Sequence, residues 1–326
     1  MDKNYILGID TSAYTTSIAI VSEDGDVILN SRQMLDVDEN QIGLRQQSAV
    51  FKHLHNLPKL FLGNERFDYS KIKKVAVSYA PRRVKNSYMP VFTVGKNVGK
   101  IVAEILGAEY LEYSHQENHL SCAIIDLYQR YDYKKNEVLA IHISGGTLEI
   151  MISKKAEFGF YTNLVGGTKD ITFGQLIDRI GVYCGYKFPC GPDLEKAVMN
   201  GNVDFEMAEK ICPNISGEER INLSGIENFY KKLIDEKIYR NEIIYASMFI
   251  YISKCIVKMI SHVEKKKIFK QIIISGGVSA NNIIRNELKD IYMAKYDLIF
   301  PSNELSSDNA LGNAFLPIID RWYNEN

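Results

Sequence analysis

Tyr5-Ile-Leu-Gly-Ile9, Asp10-Thr-Ser-Ala-Tyr-Thr-Thr16 and Ser17-Ile-Ala-Ile-Val21 follow one another near the start of the chain. The outer two segments are short apolar runs, and the middle one is a polar turn rich in hydroxyls. Apolar runs of this length, bounded by turn residues, read as buried strands. Asp24-Gly25 leads into a third run, Val27 to Leu29. The same plan returns in mid-chain. Val138-Leu-Ala-Ile-His-Ile143 reads as a strand, Ser144-Gly-Gly-Thr147 as a turn and Leu148-Glu-Ile-Met-Ile152 as the next strand, with Glu157 to Tyr161 a candidate third. Two such hairpins form a weak internal repeat and predict two related α/β domains facing each other.

Working outward, spaced apolar positions predict helices over Gln46 to Leu62, Gly95 to Leu106, His115 to Tyr131, Gly174 to Cys184 and Tyr245 to His262. Lys270 to Ile274 reads as a strand that runs into Ser275-Gly-Gly-Val-Ser-Ala280 and a helix from Asn281 to Ile291. Strands alternating with helices argue for the α/β class. Domain crossings are expected near Asp132–Glu137 and just after Ile291. The first domain then covers 1–134, completed by 292–326, and the second covers 135–291.

Of 326 residues, 39 are Lys or Arg and 40 are Asp or Glu, so the formal charge of −1 excludes a basic nucleic-acid arm and an acidic tail. If the chain handles RNA, a local patch or a partner must do so. No apolar run is long enough to span a bilayer. The nearest, Tyr245 to Ile260, is broken by Lys254 and Lys258 and reads as a core helix. The start, with Asp2 and no long apolar stretch, does not read as a signal peptide. The 5 cysteines are odd in number and lack a C-x-x-C pair, so neither a disulfide framework nor a thiolate zinc knuckle is expected, and a reduced cytoplasm is.

Several residues can carry chemistry. His115-Gln-Glu-Asn-His119 places two imidazoles one helical turn apart on one face, a spacing that suits a divalent metal or, equally, two half-exposed histidines. A third ligand must come from elsewhere. Asp308, beside Asn309, is either that carboxylate or a helix N-cap. Ser144-Gly145-Gly146 and Ser275-Gly276-Gly277 each follow an apolar run. Their bare amides can hold a phosphate, although an ordinary tight turn is the commoner role. Gly166-Gly-Thr168, Asp170, Gly174, Asp178 and Pro189-Cys-Gly-Pro192 form a region rich in glycine and acid, where Asp178 can bind a ribose hydroxyl or an amine, although a solvated or capping acid is the commoner role. Arg82, Arg83 and Lys85 between Pro81 and Pro90, and Lys265-Lys266-Lys267, are basic clusters able to touch phosphates. The second reads better as solvated surface.

In this order the pieces resemble the tRNA N6-adenosine threonylcarbamoyltransferase family, the threonylcarbamoyladenosine synthases once labelled O-sialoglycoprotein endopeptidases. The resemblance runs from Gly8 to Asn313. It rests on His115-x-x-x-His119, the Ser144-Gly-Gly turn, Asp178 with Pro189-x-Gly-Pro192, Leu223-Ser-Gly225, Ser275-Gly-Gly-Val-Ser-Ala-Asn281 and Asp308-Asn309. It implies the two-domain actin-like ATPase fold of actin, hexokinase and Hsp70, with duplicated mixed-sheet domains and an interdomain cleft. It implies an acyltransferase that passes a threonylcarbamoyl group from threonylcarbamoyl-AMP to N6 of adenine 37, in tRNAs reading codons that begin with A. His115, His119 and Asp308 match ligands of one divalent metal, iron or zinc. Ser144, Gly145, Gly146, Asp178, Gly191, Glu195, Gly276, Gly277 and Asn281 match positions that bind the adenylate or ATP or AMP. Asp10 and Ser12 match the reacting end. Helper proteins of the pathway are the implied partners besides tRNA and adenine nucleotide, and no membrane is.

This chain also departs from the family's pattern. The first turn usually reads Glu-Thr-Ser-Cys-Asp-Glu-Thr, so Tyr14 and Thr15 replace an acidic pair. Thr147 replaces a histidine after Ser-Gly-Gly, and Asp170-Ile-Thr-Phe-Gly-Gln175 lacks two of the usual acids. Pro81-Arg-Arg-Val-Lys85 replaces a Pro-Gly-Leu loop, and Asn118 stands where glycine is usual. A hydroxyl is no carboxylate base near neutral pH. A second reading is therefore a divergent paralogue that binds adenine nucleotide as scaffold or regulator, or transfers another group.

Overall fold

The computed structural model describes residues 3–12, 14–36, 44–63 and 67–326. Asp2 and Ala13, which figure in the sequence reading, lie outside the described residues. The strands are Tyr5–Thr11 (β1), Thr15–Ser22 (β2), Val27–Met34 (β3), Ile72–Ala80 (β4), Glu109–Ser114 (β5), Val138–Ile143 (β6), Leu148–Lys155 (β7), Phe160–Thr168 (β8), Arg220–Ile221 (β9), Gln271–Ser275 (β10) and Asp297–Ile299 (β11). The helices are Gln46–Leu62 (α1), Phe92–Leu106 (α2), His115–Ile124 (α3), Phe173–Tyr183 (α4), Gly191–Asn200 (α5), Phe205–Lys210 (α6), Ser224–Glu236 (α7), Asn241–Glu264 (α8), Asn282–Tyr292 (α9), Asn303–Ser306 (α10) and Leu311–Glu325 (α11).

Two compact units result. The first holds Met1–Asn136, Ser153–Thr162 and Glu304–Asn326, and the second Glu137–Ile152 and Asn163–Asn303. The first sheet runs β3-β2-β1-β4-β5, with β1–β2 and β2–β3 antiparallel and β1–β4 and β4–β5 parallel. The second runs β11-β10-β6-β7-β8-β9, with β6–β10 and β10–β11 again parallel. The order β3-β2-β1-β4-β5 thus recurs as β8-β7-β6-β10-β11, the duplication that the two hairpins predicted. Because β11 pairs with β10, the stretch that precedes Glu304 stays with the second unit, whereas the sequence reading closed that domain at 291.

Burial explains the strand patterns. β1 and β2 are covered on both faces and read as continuous apolar runs, whereas β3, at the sheet edge, alternates exposed and half-buried residues. In the first unit Leu7, Ile9, Ile18, Ile20, Val75 and Val77 pack with Leu57, Leu60, Val94 and Ala103 of α1 and α2. In the second unit α8 is the core helix. Tyr245, Phe249, Ile252 and Ile256 lie in one apolar cluster with Leu139, Ile141 and Ile272. That helix is long and apolar enough to cross a membrane, but 78% of its apolar window is buried inside the protein.

Several expected elements have other bounds: β3 runs on to Met34 rather than ending at Leu29, α2 begins at Phe92 rather than Gly95, and α8 spans Asn241–Glu264 rather than Tyr245 to His262. The helix from His115 ends at Ile124 rather than Tyr131, and the following segment closes into turns through the Leu127 and Arg130 amides. The candidate strand over 157–161 is mostly turn. Gly159 has φ of +64° and its carbonyl accepts from the Ala156 amide, so β8 begins only at Phe160.

Candidate metal centre and nucleotide-binding residues

Three segments of the first unit converge. β1 delivers Asp10 near its carboxyl end, α3 delivers His115 and His119, and the segment before α11 delivers Asp308. α3 starts at His115 because Ser114 and Glu117 form a reciprocal capping box: the Ser114 hydroxyl accepts from the Glu117 amide, and the Glu117 carboxylate accepts from the Ser114 amide. This fixes the first turn, and with it the direction of both imidazoles.

The donor atoms are close. His115 Nε2 and His119 Nε2 are 3.0 Å apart, and Asp308 Oδ1 lies 3.5 Å from the first and 3.3 Å from the second. Ligands about 2.1 Å from one ion lie ~3.0 Å apart at right angles and ~3.4 Å apart in a tetrahedron, so these edges match donors of a single metal. The chemistry of the set, two imidazoles and a carboxylate, suits iron or zinc. His115 Nδ1 lies 2.9 Å from Asp10 Oδ1, and Asp10 is fully buried. A carboxylate on Nδ1 holds the tautomer that leaves Nε2 for a metal. The other Asp10 oxygen and the Ser12 hydroxyl are buried with no hydrogen-bond partner among the described residues.

Electrostatics agree with a site built around positive charge. Burial by itself lowers an imidazole pKa, yet the Asp10 and Asp308 carboxylates push His115 up to about 10. His119 moves down, through burial and then the neighbouring His115 charge. Burial works to raise Asp308, but hydrogen bonds from both histidines hold it well below the carboxylate range.

The N-cap alternative for Asp308 fails. Asn309, not Asp308, accepts from the Leu311 amide at 2.8 Å. Sequence reasoning also treated Asn118 as a mere departure. Its Nδ2 donates to the Asn309 carbonyl at 2.6 Å and its Oδ1 accepts from the Asn313 amide at 2.8 Å. The side chain that replaces glycine therefore ties the Asp308 segment to the metal helix.

The nucleotide candidates all lie in the second unit. Gly145 and Gly146 are exposed between β6 and β7, where the Ser144 Oγ accepts from the Thr147 amide. Thr172, which caps α4, donates to the Gly145 carbonyl at 2.7 Å. Gly276 has φ of +95°, and a Cβ there would lie 2.3 Å from the Ile143 carbonyl oxygen, so β6 and the β10 turn touch backbone to backbone. Gly277 is exposed beside it. Asp178 is buried and accepts from the Cys190 amide at 2.8 Å, just ahead of Gly191. Glu195 accepts from Asn282, on both its amide and its side chain, while Asn281 caps α9 through its oxygen. Asp170 is engaged elsewhere, where its carboxylate accepts from the Leu223 and Ser224 amides at the start of α7. The basic clusters are partly spent. Lys266 and Lys267 face Glu219 and Glu137, and Arg83 is held by Glu117.

Comparison with known proteins agrees with this architecture. The family described as tRNA N6-adenosine threonylcarbamoyltransferase matches residues 47–315. A protein of that name from Neorickettsia sennetsu is 27% identical over 317 residues, covering 95% of this chain and 92% of its own. Another from Malacoplasma penetrans is 27% identical over 321 residues, covering 94% and 96%. Among solved structures, T. kodakarensis HypF aligns with a TM-score of 0.58 at 11% identity, covering 99% of this chain and 48% of its own. The activator of 2-hydroxyisocaproyl-CoA dehydratase from Clostridium difficile aligns at 0.54 and 16% identity, covering 98% and 96%. These likenesses bear on fold alone, and the fold is the actin-like ATPase and sugar-kinase one. By sequence, the chain belongs to the tRNA N6-adenosine threonylcarbamoyltransferase family.

Proposed function

We propose that this chain transfers a threonylcarbamoyl group from threonylcarbamoyl-AMP to N6 of adenine 37, in tRNAs reading codons that begin with A, within the cytoplasm. Family membership supports a transferase that modifies tRNA. The observation that carries the reading is the convergence of His115, His119 and Asp308 donor atoms within 4.8 Å of one another. In the reaction N6 attacks the carbamoyl carbon, the bond from that carbon to the phosphate oxygen breaks, AMP leaves and N6 loses a proton. His115, His119 and Asp308 would hold an iron or zinc ion, and such an ion would supply Lewis-acid polarisation when bound. His115 and His119 present Nε2, Asp308 presents Oδ1, and Asp10 keeps His115 in register. The glycine turns, Asp178, Gly191, Glu195 and Asn281 are assigned to the adenylate.

The test is reconstitution with the adenylate, helper proteins and an A37-bearing tRNA, followed by mass spectrometry of the digested nucleosides. Threonylcarbamoyladenosine is expected with the native chain and not with His119→Ala. Unmodified adenine in the native reaction overturns the reading. Tyr14 and Thr15, which stand in place of two acids, favour the second reading of a nucleotide-binding paralogue. That protein takes up ATP or AMP by calorimetry while tRNA stays unmodified.

A further inference from the structure

Between Pro81 and Pro90 the sequence Arg-Arg-Val-Lys-Asn-Ser-Tyr-Met holds three cations and no acid. The segment is tied down at several points. The Gln116 amide donates to the Pro81 carbonyl at 3.1 Å. Arg83 Nε reaches both Glu117 oxygens, at 3.2 and 3.0 Å. Gln116 and Glu117 lie between the two histidines of α3, so the loop is latched to the metal helix itself. Its tip is closed by the Ser87 amide donating to the Val84 carbonyl, and the Ser87 hydroxyl accepts from the Arg82 amide. Tyr88 therefore leaves from beside Arg82.

Aromatic side chains surround the latch. The Arg83 guanidinium lies 5.3 Å from the Phe158 ring, which stacks on Tyr113 at 4.6 Å. Phe158 lies in the turn before β8 and Tyr161 within the strand. Its Phe160 amide donates to Glu117 and its Thr162 hydroxyl to Gln116. Tyr88 is 70% exposed and Tyr161 68%, with Lys85 also at the surface. Each tyrosine offers a flat apolar ring with a polar tip, and the acid-free basic loop beside them favours a partner that carries negative charge.

We propose that Lys85, Tyr88 and Tyr161 form a surface for single-stranded RNA, with Arg83 as the positioning residue that holds it against the metal helix. Lys85 meets a phosphate, and the two tyrosines stack on unpaired bases, the usual way proteins read RNA loops. The inference rests on the tRNA reading above and names the face that takes the loop bearing the modified adenine.

Fluorescence anisotropy with a labelled anticodon stem-loop RNA tests it on the full chain. Lys85→Ala, Tyr88→Ala and Tyr161→Ala change only exposed side chains, which avoids the folding defect expected of Arg83 variants. Each tyrosine variant should raise Kd about tenfold. Lys85→Ala should also lower the slope of log Kd against log salt by about one. Lys266→Ala serves as control and should change nothing. Native affinity in all three variants overturns the surface and leaves it to a protein partner, with tRNA modification by the native chain unaffected. Failure of the native chain to bind the RNA overturns it as well. Loss of affinity in the variants, in a native chain that binds RNA but modifies none, supports this surface and sinks only the transfer reading.

Discussion

Asn118 and Asn309 are joined by a 2.6 Å hydrogen bond from the Asn118 side chain to the Asn309 carbonyl, one residue from each of His119 and Asp308. Both asparagines are fully buried. Asn118→Ala leaves that carbonyl and the Asn313 amide without partners, so it should cost about 2 kcal/mol of stability. Because the Asp308 segment loosens with it, metal affinity should fall too. Urea unfolding and a metal titration of the same variant check both; a stable variant with native affinity contradicts the coupling.

Asp10 acts on the metal set through His115, 2.9 Å away. Asp10→Asn keeps the volume but removes the charge, and loss of such a partner typically costs 10–100-fold in metal affinity, so a fall of about tenfold is expected. Competition against a chromogenic chelator measures it.

Lys155 and Asp320 form a buried ion pair at 2.7 Å, with side-chain exposures of 0% and 9%. Tyr113 and the Gly159 amide also donate to Asp320, and Lys155 lies 5.6 Å from the Phe160 ring. Removing one partner of such a pair strands the other, so Lys155→Met should destabilise by about 3 kcal/mol. Lys155→Met combined with Asp320→Asn should recover part of that loss. Equilibrium unfolding of the single and double variants decides it.

Asp178 gives a pH dependence. Burial raises its carboxyl above the ordinary range, partly offset by the Cys190 amide. A carboxyl raised in the folded state adds stability that is fully present below its unfolded pKa of about 4 and is lost as pH rises through the folded value. Asp178→Asn keeps an oxygen for Cys190 and removes the titration. The native chain should therefore lose stability relative to Asp178→Asn from about pH 4 upward. A difference in urea midpoint that stays flat with pH contradicts this.

Where a local pattern carries the information, the sequence was readable. The bounds of α1 follow from its apolar spacing, both hairpins from their runs and turns, and the histidine pair from its separation of four. β4 escaped because Lys73, Lys74 and Ser78 interrupt its apolar run, and β5 because Glu109 and Glu112 do the same at a half-buried strand. The Ser114-x-x-Glu117 box marks the same start for α3 that periodicity gives, and neither announces its end at Ile124 rather than Tyr131. Asn118 had no such signal. Its worth depends on Asn309 and Asn313 arriving from the far end of the chain, a contact that no spacing in the sequence announces. Arg83 likewise read as a phosphate contact until Glu117 was seen to hold it.

Metal content of the purified full chain, measured by mass spectrometry beside Asp308→Ala and His119→Ala, bears most directly on the central claim that these side chains hold one cation. About one equivalent of iron or zinc is expected in the native chain, as for a single three-ligand site, and almost none in either variant. Equal metal in all three proteins, or none in the native one under metal-replete, oxygen-free purification, contradicts it.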